Sequence, residues 1–191
     1  MRAEAAAAGP PVALVRWPSA WQAIGLLLLA AVMACKVWLN LRINLNWDEF
    51  HYLSYIHDYQ RGDAIPVLQT LHVQLFGWLT RLPLDEAGAV LVARFAMASG
   101  LLATVLLLWG LARHWVDGRF AWLAPLSYLL ASPVFRHGNS FRPDSLLAPL
   151  LTGVAFLLGR QAPTTRALVV SGVLFGIAGA VSIKAILALP V

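Results

Sequence analysis

The chain has 191 residues, 60% of them hydrophobic and 12% charged, with a mean hydropathy of +0.71. Soluble domains are about half apolar and about a quarter charged, so this composition excludes an ordinary soluble globule and predicts an all-α, multi-pass membrane protein. The formal net charge is +5 with the basic residues scattered, which excludes a nucleic-acid patch, and the single cysteine excludes an intrachain disulfide.

Residues 1–19 are Ala/Pro-rich, contain Arg2 and Arg16, and read as a disordered tail. Residues 20–41 form the first predicted span. Cys35 lies within it as a small packing residue; the Val32–Cys35 box faintly resembles a lipoprotein cleavage site, but Met33 and Lys36 fit that box poorly. Residues 42–86 are polar and amphipathic and read as an outer loop with two surface helices. The first covers 48–60, with Phe50, Leu53 and Ile56 apolar and Tyr52, Tyr55 and Tyr59 recurring at helical spacing. Arg61-Gly62-Asp63 ends it. The second covers 67–81 and stops before Pro83.

Span two is expected over 87–111, followed by a basic turn with Arg113, His114, Asp117 and Arg119. Span three covers 120–135, span four 145–159 and span five 167–191, with a second basic turn at Arg160 and Arg166. A bilayer core takes ~20 helical residues, so spans three and four are short and need snorkelling arginines or a bundle interior. Gly172 and Gly176 have the spacing of a close helix contact. Trp17, Trp21, Trp109, Trp115 and Trp122 mark one interface and Trp38, Trp47 and Trp78 the other. The compact two-arginine turns favour a cytoplasmic N-terminus.

The charges carry the functional signal. Asn46 followed three residues later by Glu49 is a helix start, and Asp48 and Glu49 suit the positive end of its dipole. Successive helical residues point ~100° apart, so the two carboxylates have different jobs. Arg94 lies ~10 Å inside span two. Lys184 lies ~24 Å along span five from Leu168, on the face that also holds Asp48, Glu49, Arg142 and, by similar arithmetic, Lys36. Such cations either hold a lipid phosphate or snorkel. Arg142-Pro143-Asp144 also reads as a simple helix start with Arg142 tethered to Asp144. His51 is three residues from Asp48, a spacing that permits shared divalent-metal ligation; His57 is badly spaced for it, and no dedicated metal motif is present. His72 and His137 suit hydrogen bonds to a sugar or phosphate, or helix caps.

This ordered set resembles the N-terminal part of GT-C superfamily glycosyltransferases, in particular the bacterial polyprenyl-phosphate-dependent group of aminoarabinose and protein O-mannosyl transferases. The features are a first span, Asp48-Glu49 opening a surface helix, a second surface helix, Arg142-Pro143-Asp144 and Lys184. His72 falls where the family has a His-Pro-Pro element, with Val73-Gln74 in place of the prolines. Family members are longer, so the chain resembles their first five spans. The resemblance implies an inverting transfer of a sugar from a polyprenyl-phosphate donor to an envelope glycan, lipid or protein, without a cofactor, at the outer face of a bacterial inner membrane.

Such a donor already carries a good leaving group, so the reaction needs one base on the acceptor hydroxyl and cations where charge grows on the phosphate. The resemblance assigns Asp48 as the base. Glu49 orients the acceptor or buttresses the helix. Arg142 and Lys184 hold the phosphate, and Asp144, Arg94 and His72 are further substrate-binding candidates. The competing expectation is a non-catalytic membrane protein: a transporter fragment, an assembly subunit or a degenerate remnant.

Overall fold

A computed structural model describes residues 20–42, 44–160 and 162–188; the predicted tail over 1–19 lies outside the described residues. Among the described residues all regular structure is helical and no strand occurs. Helix α1 covers Ala20–Arg42. Helix α2, Trp47–Arg61, ends on Gly62, whose φ of 81° is the left-handed conformation that favours glycine. The short α3 covers Leu71–Leu75 and is followed by a 3-10 turn, Gly77–Arg81. Helix α4, Glu86–Ala112, starts where the Asp85 side chain accepts the Gly88 N–H at 2.8 Å. Then come α5 (Leu123–Leu130), α6 (Ser132–His137), α7 (Pro143–Leu158) and α8 (Thr165–Val181), and a 3-10 turn over Ile183–Ala188.

Helices α1 and α4 are long and apolar enough to cross a membrane; α7 and α8 are shorter apolar helices. Large apolar side chains stay exposed along them, among them Leu27 at 71% and Val169 at 62%.

Three corrections concern the helices. The second surface helix is a five-residue α-turn and a 3-10 turn rather than one segment over 67–81. The break falls at Phe76, which leaves helical geometry at φ −101° and ψ 9°, and is followed by Gly77, against which the end of the Gln60 side chain of α2 rests. Span three is two short helices with Ala131 between them at φ −58°, ψ 128°. Pro133 causes this, because in a continuous helix its ring would meet the carbonyl of Leu129. Span five ends as a helix at Val181. Ser182 turns extended, at φ −155° and ψ 135°, and its Oγ accepts the Lys184 N–H at 3.3 Å, which starts the 3-10 turn.

Three further expectations are also corrected. Gly172 and Gly176 have nothing near the positions of their missing Cβ atoms. The buried residues of α8 are Ala167, Ser171, Ala178 and Val181, and α7 approaches it at Gly153, where an added Cβ would come within 3.2 Å of Leu174. Trp122 is buried rather than interfacial: its ring occupies the space a Cβ on Gly25 would need. Cys35 is exposed instead of packed.

One core joins the loop elements to the long helices. Leu53, Ile56, Val73, Phe76 and Leu79 pack on Val90, Ala93 and Met97 of α4 and on Phe141. Each such fully buried side chain contributes about 1.5–3 kcal/mol. This core fixes α2 across the end of α4 and beside the residue that precedes Arg142, and so positions the charges.

Candidate functional site

The site begins at the start of α2. Asn46 is extended, and its N–H donates to Glu49 Oε2 at 3.0 Å, which anchors the first turn. The ~100° step between neighbours then separates the two carboxylates.

Glu49 turns inward and is 0% exposed. Arg94 grips it with two parallel bonds, Nε to Oε1 at 2.8 Å and Nη2 to Oε2. The Phe141 N–H donates to Oε1 at 2.9 Å. With Asn46, each carboxylate oxygen accepts two bonds, which fills the four acceptor positions of a carboxylate. Burial alone would push the Glu49 carboxyl up; Arg94 and the Asn46 and Phe141 amides outweigh it and hold the carboxyl below its ordinary value. Arg94 also donates to the Asn40 carbonyl at 2.7 Å and the Asn44 carbonyl at 3.3 Å. Of the two roles the sequence left open for Glu49, the geometry is that of the buttress. Arg94 is removed from the phosphate candidates, because its guanidinium is buried and engaged by Glu49 and these carbonyls.

Asp48 turns outward and meets Arg142, with Nη1 to Oδ2 at 3.3 Å. Arg142 precedes α7 in an extended conformation, Pro143 opens the helix, and Asp144 sits in its first turn. Arg142 Nη2 lies 4.0 Å from Asp144 Oδ2, and Lys184 Nζ reaches both Asp144 oxygens at 2.9 Å. Four groups of alternating sign therefore form one chain, half-exposed along its length. It unites Asp48, Arg142, Asp144 and Lys184 from the start of α2, the start of α7 and the turn after α8. Arg142 Nε is buried and has no hydrogen-bond partner among the described residues.

Tyr52, one turn after Asp48, belongs to the same place. Burial and then the Asp144 carboxylate push its hydroxyl up, against the opposing pull of Arg142 and Lys184. Its ring meets His72 edge-on with centroids 5.5 Å apart. His72 is 4% exposed. Burial pushes its imidazole down, towards the neutral form; the Gln69 backbone pulls the other way but makes no hydrogen bond of normal geometry with the ring. A cavity of about 110 Å³ opens between Tyr52, Gln69, His72, Asp144, Ser182 and Lys184. On the other side of Arg142 and Asp144 lies a cavity of about 260 Å³, lined also by Tyr128, Val134 and His137. The tyrosine spacing in the sequence gives Tyr52 only an interfacial role; its i+4 spacing from Asp48 is the signal that joins it to the site.

Among the described residues, no group of three or more His, Cys, Asp or Glu side chains is arranged to hold a metal ion. His51 is engaged instead by the Tyr55 hydroxyl at 2.6 Å. Arg142 borders one cavity, Lys184 the other and Asp144 both, while Asp48 reaches this group through Arg142, so the arrangement sets an accessible carboxylate next to cations that suit an anionic group. No family model, curated protein or solved structure matches this chain.

Proposed function

We propose that the chain is a membrane glycosyltransferase unit of GT-C type that moves a sugar from a polyprenyl-phosphate donor to an acceptor hydroxyl. In this reading α1, α4, the α5–α6 pair, α7 and α8 make five crossings, and the α2–α3 segment lies at the outer face of a bacterial inner membrane. Helices α7 and α8, with 16 and 17 residues, rise about 24–26 Å, within reach of a ~30 Å core once the bilayer thins or end residues snorkel.

The observation that carries the reading is the Asp48–Arg142–Asp144–Lys184 chain. Asp48 accepts the acceptor proton as its oxygen attacks the anomeric carbon. The bond to the phosphate oxygen breaks on the opposite face, so the configuration inverts. Arg142 and Lys184, whose terminal nitrogens already engage carboxylates, neutralise the departing lipid phosphate. Tyr52 and His72 line the cavity in which the acceptor sits.

The test is transfer of labelled sugar in membranes containing the full chain. Asp48→Asn lowers turnover by about 10²–10⁴-fold with unchanged melting temperature; normal turnover in that variant removes the assignment.

A specific observation favours a second reading. Asp144 already neutralises Lys184 and faces Arg142, so the charge chain also works as a tether between α2, α7 and the last turn in a non-catalytic membrane protein. Lys184→Ala separates the two: weaker donor binding supports transfer, whereas lower thermal stability with unchanged donor affinity supports the tether.

A further inference from the structure

A separate polar cavity lies on the far side of α6 from the cavity shared by Arg142 and Asp144. Its volume is about 50 Å³, and its lining includes Lys36, Arg94, Arg136, His137, Asn139 and Glu49. That is room for a few water-sized groups. Lys36 is the unusual member. The sequence offers it as a snorkelling residue, yet it is 2% exposed, buried between α1 and α6. Its ammonium donates to the carbonyls of Val134 at 2.7 Å and Phe135 at 2.9 Å, and lies over the Phe135 ring at 5.2 Å. Two of its three N–H groups are thereby used. Among the described residues no carboxylate stands within ion-pair distance of it.

Carbonyl dipoles soften that charge without cancelling it, and an uncompensated buried ammonium is costly. The only carboxylate in the lining is Glu49, whose oxygens are already filled by Arg94 and two backbone amides. Asn139 supplies an independent sign. It is 4% exposed, and its Nδ2 has no hydrogen-bond partner among the described residues. An orphaned buried donor of this kind calls for an acceptor that the described residues do not supply. Arg136 stands exposed at the rim and adds positive potential at the entrance. The cavity therefore presents a charged donor, a neutral donor and no open carboxylate.

We propose that this cavity is a phosphate-type oxyanion site, with Lys36 Nζ and Asn139 Nδ2 as its buried donors and Arg136 at its mouth. The anion comes either from solution or from a lipid headgroup, since the site lies at the same end of α1 as the start of α2. The inference is independent of the proposed transferase reaction, because it uses neither Asp48 nor Lys184.

The experiment follows thermal unfolding of the full chain in phosphatidylcholine nanodiscs. It is run in the Lys184→Ala background, so that any phosphate held by Arg142 and Lys184 is weakened and the two proposals fail separately. Saturating inorganic phosphate raises the melting temperature by about 5 °C over chloride at equal ionic strength. Discs containing phosphatidylglycerol, without added phosphate, report the headgroup as the source if they give the same rise. Asn139→Asp supplies an internal anion at the same size: it melts as high without phosphate as the parent does with it, and responds to neither addition. Asn139→Leu removes the donor and weakens phosphate binding at least tenfold. A parent chain stabilised by neither phosphate nor phosphatidylglycerol overturns the site. So does an Asn139→Asp chain that still shows the full phosphate response, or an Asn139→Leu chain with parental affinity.

Discussion

Two ion-pair systems start from adjacent residues. Glu49 has no exposed surface and accepts four hydrogen bonds, whereas Asp48 keeps 42% of its side chain exposed and makes an ion pair with Arg142 at 3.3 Å. The inner pair is satisfied by backbone amides and carbonyls on every side, so it holds α2, α4 and the start of α7 in one arrangement. The outer chain is open to water, and its energy is divided among partners that can be replaced by a ligand. One helical step thus separates a carboxylate that fixes geometry from one that stays accessible to solvent.

The comparison is broken most directly at Arg94. Arg94→Ala leaves Glu49 buried without its charge partner and costs about 3–5 kcal/mol, read as the loss of thermal stability of the purified chain in detergent. The double variant Glu49→Leu/Arg94→Met recovers most of that loss, because neither charge remains buried. A single variant that unfolds like the parent would contradict the clamp.

Acid provides the next test. Folding holds the Glu49 carboxyl below its ordinary value, so the unfolded chain binds the proton more readily. The resulting stabilisation is complete above the ordinary glutamate range and disappears as pH falls through the depressed folded value. Melting temperatures between pH 7 and pH 3 therefore fall at the acid end, and Glu49→Gln flattens that limb. An identical acid limb in the variant would move the effect to another carboxylate.

The smallest change sharpens the other side. Lys184→Ala breaks a pair whose side chains are 57% and 43% exposed, and costs ~0.2–1 kcal/mol in the same melting experiment. A cost like that of Arg94→Ala would make the outer chain structural and favour the tether.

Much of the helical layout was legible in the sequence. The predicted first and second spans, 20–41 and 87–111, fall within a residue of α1 and α4, because long apolar runs carry their own boundaries. The helix start at Asn46–Glu49 and the stop at Gly62 are local signals with local causes. The gathering of Asp48, Arg142, Asp144 and Lys184 followed from placing each charge at one end of its helix. What stayed hidden depends on contacts between distant segments. Nothing near Glu49 announces a partner 45 residues away, and nothing near Lys36 announces the carbonyls of Val134 and Phe135. The break in span three is an exception, since Pro133 was a visible signal outweighed by the apolar run around it. Gly172 and Gly176 show the reverse error: a familiar spacing with nothing opposite it.

The bond from the Phe141 amide to Glu49 reaches further than its own strength. Residues 141 and 142 are consecutive, as are 48 and 49, so fastening one member of each pair sets the other two face to face. Under the proposed reaction, alanine scanning would then score Glu49 as catalytic, because losing it lets the Asp48–Arg142 alignment drift. Only a variant that keeps the alignment while removing the Asp48 carboxylate can tell the tool from the vice that holds it.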